Sequence, residues 1–191
     1  MKSGKKNEAR DKFIDAIIAE PYTRTAWVGL IQWGQHHNVQ LAHPRVDTAS
    51  DVSSENGKTN ITLDMNMPGK NDGSESWLVY GITRAAWMNE KFAKEFPNEK
   101  KYRHSLREEI DTLSTVVSLA EAKLKEGKLK EKSLDVSITN LLKLKNAGLL
   151  EAFVLLAKPD AGIAQDYEAY RKNHRDRLRQ YLTDYVTAGS R

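Results

Sequence analysis

His104 and Glu108 lie four residues apart, with Arg103, Arg107 and Glu109 beside them. On a helix that spacing puts both side chains on one face, so Glu108 can orient His104 as a general base. With Arg84 in the same cleft, the set suits a hydrolase-like enzyme. An ordinary charged pair near a helix start explains the same residues, and no nucleophile or oxyanion donor accompanies them. His36, His37 and His43 are a second set, with nitrogen ligands suited to zinc. Adjacent histidines at a helix end point different ways, however, and no carboxylate pattern joins them. Asp64, Asn66, Gly69, Asp72 and Glu75 stand at the first, third, sixth, ninth and twelfth places of a calcium loop. Pro68 occupies a ligand place without a side-chain oxygen, and a strand leads into the loop where a helix should. A Gly/Asn/Asp turn ending in a helix cap explains those letters as well. The expectation is therefore no metal and no cofactor.

Trp77, Tyr80, Arg84, Trp87 and Lys91 recur three and four residues apart, which aligns them on one helical stripe. Stacking rings around a guanidinium suit a groove for a peptide or sugar, and arginine between aromatics is a common interface anchor. The same stripe also fits a core edge with cations that reach out to water. The candidate binding residues are thus Trp77, Tyr80, Arg84, Trp87, His104 and Glu108. Trp87 is expected to anchor the fold, and Arg84 to stack on a ring with its tip wet.

Two central helices must position this set. The first runs from about residue 74 to 96, capped by Asp72 with Glu75 as the reciprocal partner. Leu78, Ile82, Ala85, Phe92 and Phe96 give it a second apolar face. Pro97 stops it. Asn98 is expected to cap the next helix, which carries Tyr102, Leu106, Ile110, Leu113, Val117, Ala120 and Leu124. A short turn between them makes an antiparallel pair.

Composition sets the class. The 191 residues are 39% hydrophobic and 29% charged, the balance of a soluble globular chain. No stretch approaches the roughly 20 apolar residues of a membrane span. The opening MKSGKKNEAR has basic residues but no apolar run behind them, so as written it does not read as a signal peptide and implies the cytoplasm; if Met1 is not the natural start, export or a longer chain stays open. Zero cysteines excludes disulfides and thiolate metal sites. The net charge of +4 is mildly basic. The lysine-rich run KLKEGKLKEK (123–132) is interleaved with Glu126 and Glu131 and broken by Gly127, which favours a solvated helix end over a nucleic-acid face.

The run GKKNEARDKFIDAIIAEPYTRTAWVGL resembles the join between two tetratricopeptide repeats. Glu8, Ala9, Phe13, Ala16 and Pro21 match the second helix of one repeat and its closing proline, and Ala26, Trp27 and Leu30 the opening of the next. The resemblance implies a helical hairpin, with Ala9, Ala16 and Ala26 allowing close approach and Phe13, Ile17, Trp27 and Leu30 filling the gaps. Ile31 and Gly34 depart from the family pattern, and after Asn38 the stretch LAHPRVDTASDV replaces the expected partner helix. About three repeats are needed for a stable stack. This chain is therefore the tail of a longer array, which its mid-repeat start favours, or a lone hairpin packed on the remainder.

Asn56-Gly57 signals a two-residue hairpin turn that pairs Val52 with Ile61. Val52, Ile61 and Leu63 should lie against helices. Asn60-Ile61-Thr62 is a chance glycosylation triplet inside a strand. Downstream, Ser133 is expected to cap a helix through Ile138, Leu141, Leu142 and Leu144, and Gly148 to break it. Residues 149–157 are nearly all apolar and central, and a last amphipathic helix spans about 162–186.

The sequence thus predicts a mainly α fold, more than half helical: a repeat-like hairpin (1–38), a β-hairpin insertion (39–73) and a helical bundle (74–191). The function expected is a non-enzymatic scaffold for a protein or peptide partner. The alternatives are an enzyme using His104, Glu108 and Arg84, and a basic nucleic-acid binder.

Overall fold

The computed structural model describes residues 2–55, 58–64 and 70–188. Helix accounts for 66% of the chain, as expected of a mainly α protein. Helix α1 (Lys2–Ala19) forms because Ile14, Ile17 and Ile18 recur at helical spacing, and all three are fully buried. Pro21 follows its end. Helix α2 (Arg24–His36) then returns along it, with the Trp27 indole donating to the Pro21 carbonyl at 2.7 Å. The two helices cross tightly at Gly29, where a Cβ would stand 2.4 Å from the Phe13 ring. The expected alanine contacts do not make this crossing, since Ala9 and Ala16 face solvent.

Strands β1 (Ser50–Glu55) and β2 (Lys58–Leu63) pair antiparallel, with Val52 opposite Ile61. The Asn56-Gly57 turn lies outside the described residues. Val52 is buried. Ile61 lies over Gly81 of the next helix, where an added Cβ would stand 2.5 Å from its Cγ2.

Helix α3 (Trp77–Ala86) is entered through a 3-10 turn at Ser74–Ser76. Asp72 caps that turn by accepting from Ser74 N at 2.9 Å. Glu75 does not close a capping box; it pairs with Lys123 at 2.6 Å. A π-turn (Trp87–Lys91) leads into the short α4 (Phe92–Glu95), which stops before Pro97.

The next helix starts later than expected. Residues 97–105 are a non-helical connector, and α5 spans Leu106–Lys125. Ser105, not Asn98, is its cap, its hydroxyl accepting from Glu108 N at 3.2 Å, while Asp166 accepts from Leu106 N at 2.8 Å. Arg103 pins the connector, with its guanidinium bonded to Glu99, to both carboxylate oxygens of Asp166 and to the Gly162 carbonyl. A helix begun at Asn98 would forfeit these bonds. Pairs that run Glu75–Lys123, Trp87–Asp111 and Glu95–Arg107 set the α3–α4 segment antiparallel to α5.

Helix α6 (Val136–Asn146) is capped by Asp135, which accepts from Ser137 N and Ile138 N; Ser133 sits in a preceding 3-10 turn. Gly148, at a φ of 65°, ends it, since that backbone suits glycine. Helix α7 (Leu150–Ala157) is buried along nearly all its length and forms the centre of the molecule. Helix α8 (Tyr167–Tyr181) bends at His174, whose φ is −134°, and runs into a π-turn at Leu182–Val186. It clasps α1. Tyr167 and Arg171 donate to the last α1 carbonyls, at Ile18 and Ala19, and Arg175 and Arg179 both engage Asp15. Leu30 and Trp33 of the hairpin share one apolar cluster with Leu113, Leu141, Phe153 and Tyr181, so the core runs from hairpin to bundle without a break.

Candidate functional site

The first turn of α5 places two consecutive carboxylates inside the protein. Glu108 is 0% exposed and Glu109 is nearly so. Acidic residues belong in a first helical turn, where the free backbone N–H groups favour negative charge. Burial at this depth also requires partners. Glu108 Oε1 accepts from the Tyr102 hydroxyl at 2.8 Å and from Arg84 Nε at 3.2 Å. Glu109 Oε2 accepts from the Tyr80 hydroxyl at 2.9 Å and lies 3.1 Å from His104 Nε2. The other ring nitrogen of His104, Nδ1, is 2.6 Å from Asp160 Oδ2. Asp160 Oδ1 accepts from Gly162 N and Ile163 N, both at 2.8 Å, which fixes the turn before α8. The cluster therefore ties α3, the connector, α5 and the α7–α8 turn to one another.

His104 is thus oriented by Glu109 and Asp160, whereas the sequence pointed to Glu108. The reason is local. His104 lies in the extended connector just before the cap, so a helical i,i+4 relation to Glu108 never forms. Glu108 instead meets Arg84 and Tyr102, and its Oε2 is buried without a partner among the described residues.

The electrostatics follow from these contacts. Burial alone would lower the His104 pKa, but its bonds to Glu109 and Asp160 outweigh that and hold it above the ordinary histidine value. A histidine raised in this way stabilises the fold most below its unfolded pKa. That contribution fades as pH rises through the folded value. Burial pushes the Glu108 carboxyl up, against the Tyr102 bond and the His104 and Arg84 charges. Its proton uptake therefore favours the fold in the same direction. Burial also raises the Tyr80 and Tyr102 hydroxyls, so both remain donors at neutral pH. Asp160 moves the other way: its backbone N–H bonds and His104 overcome burial and keep it ionised. Lys158 nearby is lowered by burial, with Glu109 and Asp47 opposing.

The aromatic stripe faces α5. The rings of Trp77, Tyr80 and Trp87 are buried there. Trp87 Nε1 donates to Asp111 Oδ2 at 2.7 Å, and Lys91 reaches the same oxygen at 3.0 Å. Arg84 is only 14% exposed and its Nε is paired to Glu108, while its outer Nη2 makes a long, exposed bond to the Tyr102 hydroxyl. The large apolar side chains of α3 that stay open are Leu78 and Ile82, at 45% and 53% exposed, on the face that periodicity alone would have buried. Two helical stripes competed for the core, and the one with hydrogen-bonding tips matched the acidic start of α5.

The other sequence candidates do not converge. His43 bonds the Tyr181 hydroxyl at 2.7 Å, and burial lowers its pKa. His36 and His37 contact each other at a helix end. Residues 65–69 of the calcium-like loop lie outside the described residues. Among the described residues, no group of three or more histidine and carboxylate side chains is placed to hold a metal ion, and no helix is long and apolar enough to cross a membrane. Sequence reasoning missed Glu109, Tyr102 and Asp160. Asp160 is 56 residues from His104, and no spacing rule links them.

Comparison of the chain with protein-family models, with curated proteins and with solved structures finds no match.

Proposed function

We propose that this chain is a non-enzymatic helical scaffold, with a tetratricopeptide-like hairpin mounted on a helical bundle, that binds a protein or peptide partner. One observation supports this reading above the rest: the groups best suited to catalysis are spent on one another. Both ring nitrogens of His104 face carboxylates, leaving neither to take a proton from a substrate. Arg84 is engaged by Glu108 and Tyr102. Ser105, adjacent to the histidine, is buried and uses its hydroxyl as a helix cap. A general base needs a free nitrogen and a reachable nucleophile, and this arrangement offers neither. The enzyme alternative draws on the partnerless Glu108 Oε2 with its raised carboxyl.

The test is affinity capture on the immobilised chain, set beside assays with nitrophenyl ester and phosphate substrates. The expected result is a protein retained at near-stoichiometric amounts and displaced by free chain, with no turnover. Turnover that His104→Gln abolishes, with nothing retained, would overturn the reading.

A further inference from the structure

We infer that the outer edge of β2 joins two copies of this chain, strand to strand and antiparallel, into one four-stranded sheet. Asp64 N donates to the Ala49 carbonyl, and Val52 lies opposite Ile61. Alternation along an antiparallel pair then directs the N–H and C=O groups of Asn60 and Thr62 to β1, and those of Thr59, Ile61 and Leu63 outward. Among the described residues, no backbone carbonyl outside the hairpin accepts from these three N–H groups. The register runs without a bulge from Ser50–Leu63 to Glu55–Lys58, and β2 contains no proline. Bulges and prolines are common devices for keeping an edge unpaired. The β1 edge is different: its Val52 N–H is taken by the Asp51 carboxylate at 2.8 Å.

Self-complementarity selects a second copy as the occupant. Outward groups pair only with outward groups, so a two-fold axis at Ile61 gives the register of greatest overlap. Ile61 then meets Ile61 of the second copy, and Thr59 meets its Leu63. On the solvent face the same register sets Lys58 against the second copy's Asp64, and Asp64 against its Lys58. Both residues are exposed, and opposite charges directly across a strand pair favour pairing. Any shift that keeps outward groups opposed loses both ion pairs. The helices fit the same join. Helix α3 lies across both strands: Ser50 Oγ donates to the Trp77 carbonyl, and Ile61 rests on Gly81. The exposed Leu78 and Ile82 share a stripe that continues toward Asn89, which accepts from the Thr59 hydroxyl of β2, so they overhang the open edge. In the joined sheet the two copies of α3 stand two strand spacings apart, roughly 9–10 Å, the ordinary distance between packed helices. Leu78 and Ile82 of each copy fill the space between them.

The experiment is sedimentation equilibrium of the full chain across a wide concentration range, with amide hydrogen exchange at both ends of it. One strand edge and one helical stripe make a small interface, so the chain should pass from monomer to dimer as concentration rises and stop there. The amides of Thr59, Ile61 and Leu63 should gain protection in the dimer, whereas those of Asn60 and Thr62 are protected throughout. Lys58→Asp should weaken the dimer at least tenfold, and Lys58→Asp with Asp64→Lys should restore it. Ile82→Glu should give a monomer that melts as the native monomer does, since that side chain is exposed. The proposal is overturned if the chain stays monomeric throughout, which would leave the edge to an extended segment of a different protein. It is also overturned by a dimer whose three outward amides stay unprotected, by one that Lys58→Asp or Ile82→Glu leaves unweakened, and by assembly that grows past the dimer. None of these results bears on the scaffold reading, which does not use this edge.

Discussion

Arg84→Ala should lower the unfolding free energy by about 3–5 kcal/mol, the usual cost of stranding one member of a buried ion pair. Among the described residues, the guanidinium is the only formal positive charge directly bonded to Glu108, whose side chain is completely shielded from solvent. Removing it leaves a buried carboxyl with one bond from Tyr102 and a second oxygen already without a partner. Urea melts at neutral pH measure the loss. The companion variant is Arg84→Met combined with Glu108→Leu, which removes both charges and fills the space. It should recover most of the lost stability, because a buried pair replaced as a unit by apolar side chains costs little. A loss below about 1 kcal/mol for Arg84→Ala would place the pair among solvent-screened surface bridges and contradict the packing of α3 on α5.

Trp87→Ala should cost a similar amount, about 3–5 kcal/mol, through the cavity left in place of a large ring. Trp87 is 3% exposed and sits at the π-turn where α3 meets α4, against α5. Trp87→Phe separates the two roles of the indole. It keeps an aromatic ring but removes the N–H that Asp111 accepts. Asp111 is 42% exposed, so water can replace the donor, and this variant should lose only about 0.5–1.5 kcal/mol. Chemical melts of both variants check the ranking. Equal losses would mean that the ring contributes little packing and that the bond to Asp111 dominates.

The fold was legible where local rules suffice. Phe13 and Ile17 marked α1, Pro21 and Pro97 marked stops, and Asn56-Gly57 aligned Val52 with Ile61 in the observed register. Helix starts were misread where distant groups decide them. Asn98 and Ser133 are plausible caps by type, yet Ser105 and Asp135 do the capping. The connector before Ser105 is held by Asp166, 63 residues beyond Arg103. The candidate site was half legible. The stripe through Trp77, Tyr80, Arg84 and Trp87 was visible as a pattern, as were His104 and Glu108. Its burial was not, because α3 has two apolar stripes and only the acidic first turn of α5 selects between them. The assignment of Glu109 to His104 depends on the connector's extended backbone, which no periodicity encodes.

The central claim is that the polar cluster closes on itself and holds four elements together. The most direct measurement is nitrogen-15 NMR of the His104 imidazole, titrated through pH 5–9 and assigned by comparison with His104→Gln. The structure predicts an imidazolium with both N–H groups protected from exchange, and a pKa above the ordinary histidine value of about 6.5, because Glu109 and Asp160 each accept one proton bond. As pH rises through that value, the proton should leave and protection of the cluster's amides should weaken. A neutral ring at pH 6.5, with one nitrogen exchanging freely and a pKa at or below the ordinary value, would contradict the account. It would leave His104 available as a base.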